Sequence, residues 1–162
     1  MRRDLEFPFD STGACSVSNV MAGNLSVKRD VALAAGGFDE RFVAVAYRFE
    51  TEFCRRLRRT GAEVRYDPRA VIHHLKAGSG GTRTWGHHLT SIRPAHSVGD
   101  YYFALRESRG VERWSYIARR LLRETTSRFH LSHPWWIPVK LVAELRGLRM
   151  AFALSRDARG RR

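Results

Sequence analysis

Helical periodicity fills the chain after residue 97 and is broken up before it, and this asymmetry constrains the fold more than any other feature. Residues 100–109, 112–128 and 136–155 repeat apolar side chains at three- and four-residue steps. In the last of these, Ile137, Leu141, Leu145, Leu148 and Phe152 form one apolar stripe, with Lys140, Glu144, Arg146 and Arg149 elsewhere on the helix. Pro138 suits such a helix because in the first turn its missing N–H has no intrahelical acceptor. The first half is cut by turn residues into short pieces. Residues 1–22 predict loop with one short strand, and Ser26 stands where it would cap a short helix over 27–35 that Gly36-Gly37 stop. Residues 47–60 predict the clearest helix of this half. Phe49, Phe53 and Leu57 recur at i, i+4 and i+8, Gly61 follows, and Arg55, Arg56, Arg58 and Arg59 crowd the last turns, where cations complement the helix dipole. Residues 63–66 and 70–73 predict short strands around Asp67-Pro68-Arg69, followed by a glycine-rich loop over 76–88. The expectation is an α/β first half and an all-helical second half.

A chain of 162 residues suits about one domain, and 43% hydrophobic content with 18 aromatic residues excludes collagen-like and low-complexity classes. Cys15 and Cys54 sit in no paired motif, which speaks against a disulfide framework or a cysteine zinc site and for a reducing, cytoplasmic compartment. The uncharged stretch 129–139 is too short to span a bilayer, and Met1-Arg2-Arg3-Asp4 precedes no apolar run of the kind a signal peptide needs. Net charge is +13, with fourteen basic against ten acidic residues up to position 89 and fifteen against six beyond it. The excess therefore lies mainly in the helical half. It predicts attraction to polyanions: nucleic acid, anionic lipid or diphosphates.

Chemistry-bearing residues are densest between Gly23 and His74. A helix carries Glu50 and Glu52, and a predicted strand ends in His73-His74. A carboxylate can act as general base and an imidazole can ligate a divalent metal. Taken bare, these are also what a solvated surface offers, since any helix carries glutamates.

The order of four blocks says more. They are Ala22-Gly23-Asn24-Leu25-Ser26-Val27-Lys28-Arg29; Gly36-Gly37-Phe38-Asp39-Glu40-Arg41-Phe42; Phe49-Glu50-Thr51-Glu52-Phe53-Cys54-Arg55-Arg56-Leu57-Arg58-Arg59-Thr60-Gly61; and Tyr66-Asp67-Pro68-Arg69-Ala70-Val71-Ile72-His73-His74. Residues 20–76, about a third of the chain, resemble the C-terminal half of family-2 glycosyltransferases of the GT-A superfamily, and are similar to the galactosyltransferase C-terminal domain within it.

The resemblance implies a partial GT-A-type domain of short strands and helices over 1–89, to which the helical periodicity adds an α-helical extension over 90–155 and the basic C-terminal run a disordered tail over 156–162. It implies transfer of a sugar from a nucleotide-diphospho-sugar to a hydroxyl of a glycan or lipid-linked acceptor, as in the making of cell-envelope polysaccharide. An acidic pair precedes the helix in such enzymes and its second carboxylate deprotonates the acceptor. Here those places hold Phe49 and Glu50, so Glu50 is the base expected, Phe49 is a departure, and Glu52 is the fallback. His74 takes the place of a ligand to a divalent metal (Mg or Mn) that holds the diphosphate, where a cation neutralises the charge of the leaving group. His73, next to it on a strand, would point away. Asn24 and Asp39 match positions lining the acceptor. Gly78-Ser79-Gly80-Gly81-Thr82-Arg83 lacks the Lys-Ser/Thr of a P-loop, yet could fold over a diphosphate with Arg83 as donor. His87-His88 has no carboxylate or cysteine at zinc-ligand spacing.

The Asp-x-Asp motif that ends the nucleotide-binding half of such enzymes does not occur in this sequence. The resemblance therefore implies an acceptor-side portion that is incomplete without a donor-binding half: a truncated gene product, a fragment, or one subunit of a split enzyme whose donor-binding half is a separate chain. Two further readings stand beside it. One is a non-catalytic interaction subunit. The other is a basic nucleic-acid-binding module, suggested by charge and aromatics but lacking any RNP, KH, zinc-finger or helix-turn-helix signature. The apolar stripe of 137–152, led by Trp135-Trp136 and flanked by arginines, predicts an interfacial helix on an anionic membrane, peripheral at its inner face.

Overall fold

The computed structural model describes residues 11–73, 75 and 80–160, with residues 83 and 158–160 described by backbone alone. The fold is mixed but mostly helical, and its sheet among the described residues is a single antiparallel pair of strands. Contact density divides the chain into two units: Met1–Glu40 with Phe49–Ala77, and Arg41–Arg48 with Gly78–Arg162. The boundary thus falls before residue 89, and residues 41–48 belong with the helical half.

In the first unit, strand β1 (Cys15–Ser16) pairs with β2 (Arg65–Tyr66), Cys15 opposite Tyr66. Val17 N–H extends the ladder to Val64 O at 2.9 Å. Helix α1 (Arg29–Ala34) begins after Lys28, whose side chain makes no cap bond, so Ser26 is not the cap the sequence suggested. It ends as expected. Gly36 and Gly37 both take positive φ, +82° and +66°, and Gly37 N–H closes back on Ala32 O at 2.8 Å. Helix α2 (Phe49–Arg59) stops at Gly61, also at positive φ. Its apolar face buries Phe53, Cys54 and Leu57, and Phe38 lies across Phe53 with ring centroids 4.3 Å apart. Residues 70–73 are not the second strand predicted. After the turn at Asp67–Ala70 they leave Val71, Ile72 and His73 exposed and unpaired with any strand. The β-branched run favoured a strand locally, but among the described residues no neighbouring strand receives it.

The second unit is built on helix α3 (Val98–Glu107), buried from Val98 through Leu105 and packed along α6 (Ile137–Gly160) and against α4 (Gly110–Thr125). Arg113 ties the end of α3 to α4 by donating to Leu105 O and Ser108 O. A short α5 (Arg128–Ser132) is capped by Ser127, which accepts from His130 N–H. Helix α6 carries helical turns to Gly160, so the disordered tail expected from residue 156 does not begin there; Arg161 and Arg162 lie outside the described residues. No helix among the described residues is long and apolar enough to cross a membrane.

The buried arc of α6 is not the predicted stripe. Lys140, Ala143, Glu144, Gly147 and Ala151 face inward, while Leu141 and Leu145 are exposed and Ile137, Leu148 and Phe152 are half-buried. Two close approaches explain the packing. A Cβ on Gly147 would lie 1.9 Å from Ser97 Oγ, and one on Gly99 would lie 2.5 Å from Tyr47 O. Gly147 lets α6 press on the start of α3, and Gly99 lets residues 46–47 lie directly on the α3 backbone. That segment is bent hard. Ala44, Ala46 and Arg48 all have positive φ, each such residue costing about 1–2 kcal/mol.

Candidate functional site

In the first unit specific contacts join the sequence blocks in pairs. Asn24 Nδ2–H donates to Ala70 O at 2.5 Å, joining the first block to the fourth. Phe38 of the second block stands edge-on to Phe49 of the third, with centroids 5.7 Å apart. Arg56 Nη1–H donates to Ala35 O, so α2 also holds the carbonyl just ahead of the double glycine.

Glu50 lies in the first turn of α2 and is half-buried; its charge is felt by the thiol of Cys54 one turn on. Burial, with a smaller push from Glu50, raises that thiol to about 11. Glu52 is fully buried and is taken up by a two-pronged ion pair with Arg56, at 2.7 Å and 2.9 Å. The fallback carboxylate is therefore a brace between α2 and the glycine turn. Asn24 is likewise bonded to backbone, and Asp39 is half-buried and engaged. Asp67 and Arg69 form an exposed pair in the turn, where the hydrogen bonds from Arg69 bring the Asp67 carboxyl down to about 2.

Two expected site residues cannot be placed with Glu50. His74 lies outside the described residues, as does the side chain of Arg83. No group of three or more His, Cys, Asp or Glu that could hold a metal ion occurs among the described residues. The divalent metal implied by the resemblance thus finds no ligand set among the described residues.

Sequence reasoning missed the densest polar cluster among the described residues, which lies inside the second unit. Arg120 of α4 is 5% exposed. It donates to Asp100 of α3, to Glu144 of α6 (3.1 Å) and to His96 O (2.9 Å). Lys140, 2% exposed, bridges Glu144 (2.9 Å), Glu124 (3.2 Å) and His88 O (3.1 Å). Tyr101 O–H donates to Glu144 at 2.7 Å, Tyr116 O–H to Asp100 at 2.8 Å, and Arg48 reaches Asp100 at 3.0 Å. Three cations thus face three carboxylates. Although burial opposes it, the charges of Arg120 and Arg48 hold the Asp100 carboxyl below its ordinary value, and Arg120 and Lys140 do the same for Glu124. Burial raises both tyrosines, Tyr116 to about 12.

The adjoining loop is held by its carbonyls. His96 bonds Gly86 O, Lys140 bonds His88 O, and His130 bonds Leu89 O. Burial and the neighbouring cationic groups push the His88 imidazole below its usual range. Every charge of the cluster has a partner, so it is a structural lock of α3, α4, α6 and residues 41–48 rather than an open site. The signal in the sequence was the pairing of Arg120 with Glu124 and of Lys140 with Glu144, each four residues apart.

No family model, curated protein or solved structure matches this chain.

Proposed function

We propose that the chain is the acceptor-side portion of a family-2-like glycosyltransferase, using Glu50 to activate an acceptor hydroxyl for attack on a nucleotide-diphospho-sugar. What supports the reading is the division of labour in α2. Of its two glutamates, Glu52 is buried and spent on Arg56, while Glu50 stays half-buried in the first turn, beside the blocks that carry the resemblance. In the reaction, a Glu50 oxygen takes the acceptor proton as the acceptor oxygen bonds to the anomeric carbon and the bond to the nucleoside diphosphate breaks, inverting that carbon. Glu52 and Arg56 set the pitch of α2 against the glycine turn and so aim Glu50. Donor binding belongs in this reading to a donor-binding half carrying Asp-x-Asp, with which His74 would share the divalent metal.

The experiment measures nucleoside-diphosphate release from UDP-, GDP- and dTDP-sugars with a panel of glycan and lipid-linked acceptors, alongside acceptor binding by ligand-observed NMR. The chain alone should release negligible diphosphate yet bind an acceptor, and Glu50→Ala should weaken that binding. Diphosphate release that is indifferent to Glu50→Gln, or no acceptor bound together with salt-sensitive binding of RNA, would overturn the proposal.

A further inference from the structure

The outward face of α6 carries a second, independent message. Around the helix, Leu141, Val142, Leu145 and Met150 are exposed, Leu145 at 51%, and among them stand the exposed Arg146 and Arg149, with Arg156 two turns beyond. Trp135, 65% exposed, lies in the helical turn Pro134–Trp136 that leads into the helix. Arg146 also reaches Ile92 O at 3.5 Å, which adds the exposed Ile92 to the same surface, with Arg93 next to it in the chain. The acidic residues of α6 do not oppose this charge. Glu144 is buried against Arg120 and Lys140, and Asp157 lies at the far end. Lys140, the one lysine of the helix, is likewise neutralised inside.

We propose that this face docks on an anionic lipid bilayer, with α6 lying in the head-group plane. Three properties select that occupant. A face with arginines and no exposed carboxylate before Asp157 calls for an anionic partner, and two copies of it would bring like charges together. A nucleic acid would satisfy the arginines but leave Leu141, Val142, Leu145, Met150 and Trp135 wet, whereas the head-group boundary accepts apolar side chains below and guanidinium groups at the phosphates. An exposed tryptophan at the end of the helix suits the interfacial depth. The surface differs from the stripe expected from sequence, of which only Leu141 and Leu145 are exposed, and it does not rest on the glycosyltransferase reading.

Flotation of the full chain with vesicles tests it, comparing phosphatidylcholine alone with phosphatidylcholine containing phosphatidylglycerol. Binding is expected only to the anionic vesicles, and it should weaken as salt rises. Each arginine near such a surface is worth about fivefold in partitioning, so Arg146→Gln with Arg149→Gln should lower binding about 25-fold. Arg58→Gln with Arg65→Gln removes the same charge from exposed positions of the first unit and should change binding less than twofold. Leu145→Gln and Trp135→Ala should each weaken binding while leaving the circular dichroism spectrum unchanged. Equal binding to neutral vesicles, no binding to anionic ones, or equal losses from the two arginine pairs would overturn the proposal. Capture of poly(U) that is lost with Arg146 and Arg149, without vesicle binding, would also overturn it and assign the face to nucleic acid.

Discussion

Replacing Arg120 by Met removes the cation at the centre of the buried cluster while keeping a side chain of similar length. Asp100 and Glu144 then lose their shared guanidinium, and His96 O loses its donor. Breaking one partner out of a buried ion pair costs about 3–5 kcal/mol because the remaining charge stays buried. Here Arg48 still reaches Asp100 and Lys140 still reaches Glu144, which places the loss near the lower end, about 3 kcal/mol. For a chain of this size that corresponds to about 6–12 °C in melting temperature. The assay is urea unfolding followed by tryptophan fluorescence. Trp85, Trp114, Trp135 and Trp136 all belong to the second unit, so the signal reports that unit and not the first. Combining Arg120→Met with Asp100→Asn should cost less than the sum of the two single changes, by about 0.5–3 kcal/mol, because the second change removes the charge that the first exposed. A loss under about 1 kcal/mol for Arg120→Met, the size of a solvated surface pair, would refute the argument, since it would mean that water screens the cluster.

Gly99→Ala should destabilise the second unit by about 1–3 kcal/mol, because its Cβ would meet the main chain of Tyr47 at 2.5 Å and 2.7 Å and backbone cannot turn aside as a side chain can; the same fluorescence titration checks it. Acid should unfold this unit through Asp100 and Glu124. Their carboxyls sit below their ordinary values in the fold, so the stability they give is present above about pH 4 and drains away as pH falls further; a pH series of urea midpoints should show that slope. At the alkaline end Tyr101 and Tyr116 are raised, so their contribution holds below about pH 10 and is lost above it, and phenolate absorbance should rise together with unfolding. Glu52→Gln should lower the stability of the first unit by about 1–3 kcal/mol by breaking the charged bonds to Arg56, whereas the half-buried Glu50→Gln should stay within about 0.5 kcal/mol; thermal melts followed by circular dichroism separate the two roles.

Local rules carried the sequence reading a fair distance. Helix periodicity and glycine stops depend on neighbours along the chain, so α2, α3, α4 and α6 were legible, as were the ends at Gly36-Gly37 and Gly61. The candidate base Glu50 was legible as a position in a motif. Its separation from Glu52 was not, because the buried pairing of Glu52 with Arg56 shows only once α2 has packed. Residues 70–73 failed as a strand for a related reason: a strand exists only if another edge accepts it, and propensity does not supply the edge.

The largest miss was the orientation of α6. Hydrophobicity by itself turns Ile137, Leu141, Leu145, Leu148 and Phe152 toward the core, since a charge without a partner is costly to bury. Tertiary structure reversed that preference by bringing Arg120, Glu124, Tyr101 and the His88 carbonyl to Lys140 and Glu144, and by letting Gly147 slide against Ser97. The sequence by itself determined that a long helix forms here, because that depends on the backbone and near neighbours. Only the tertiary structure decided which side of it is dry, because the partners that make buried charge tolerable come from up to about fifty residues away along the chain.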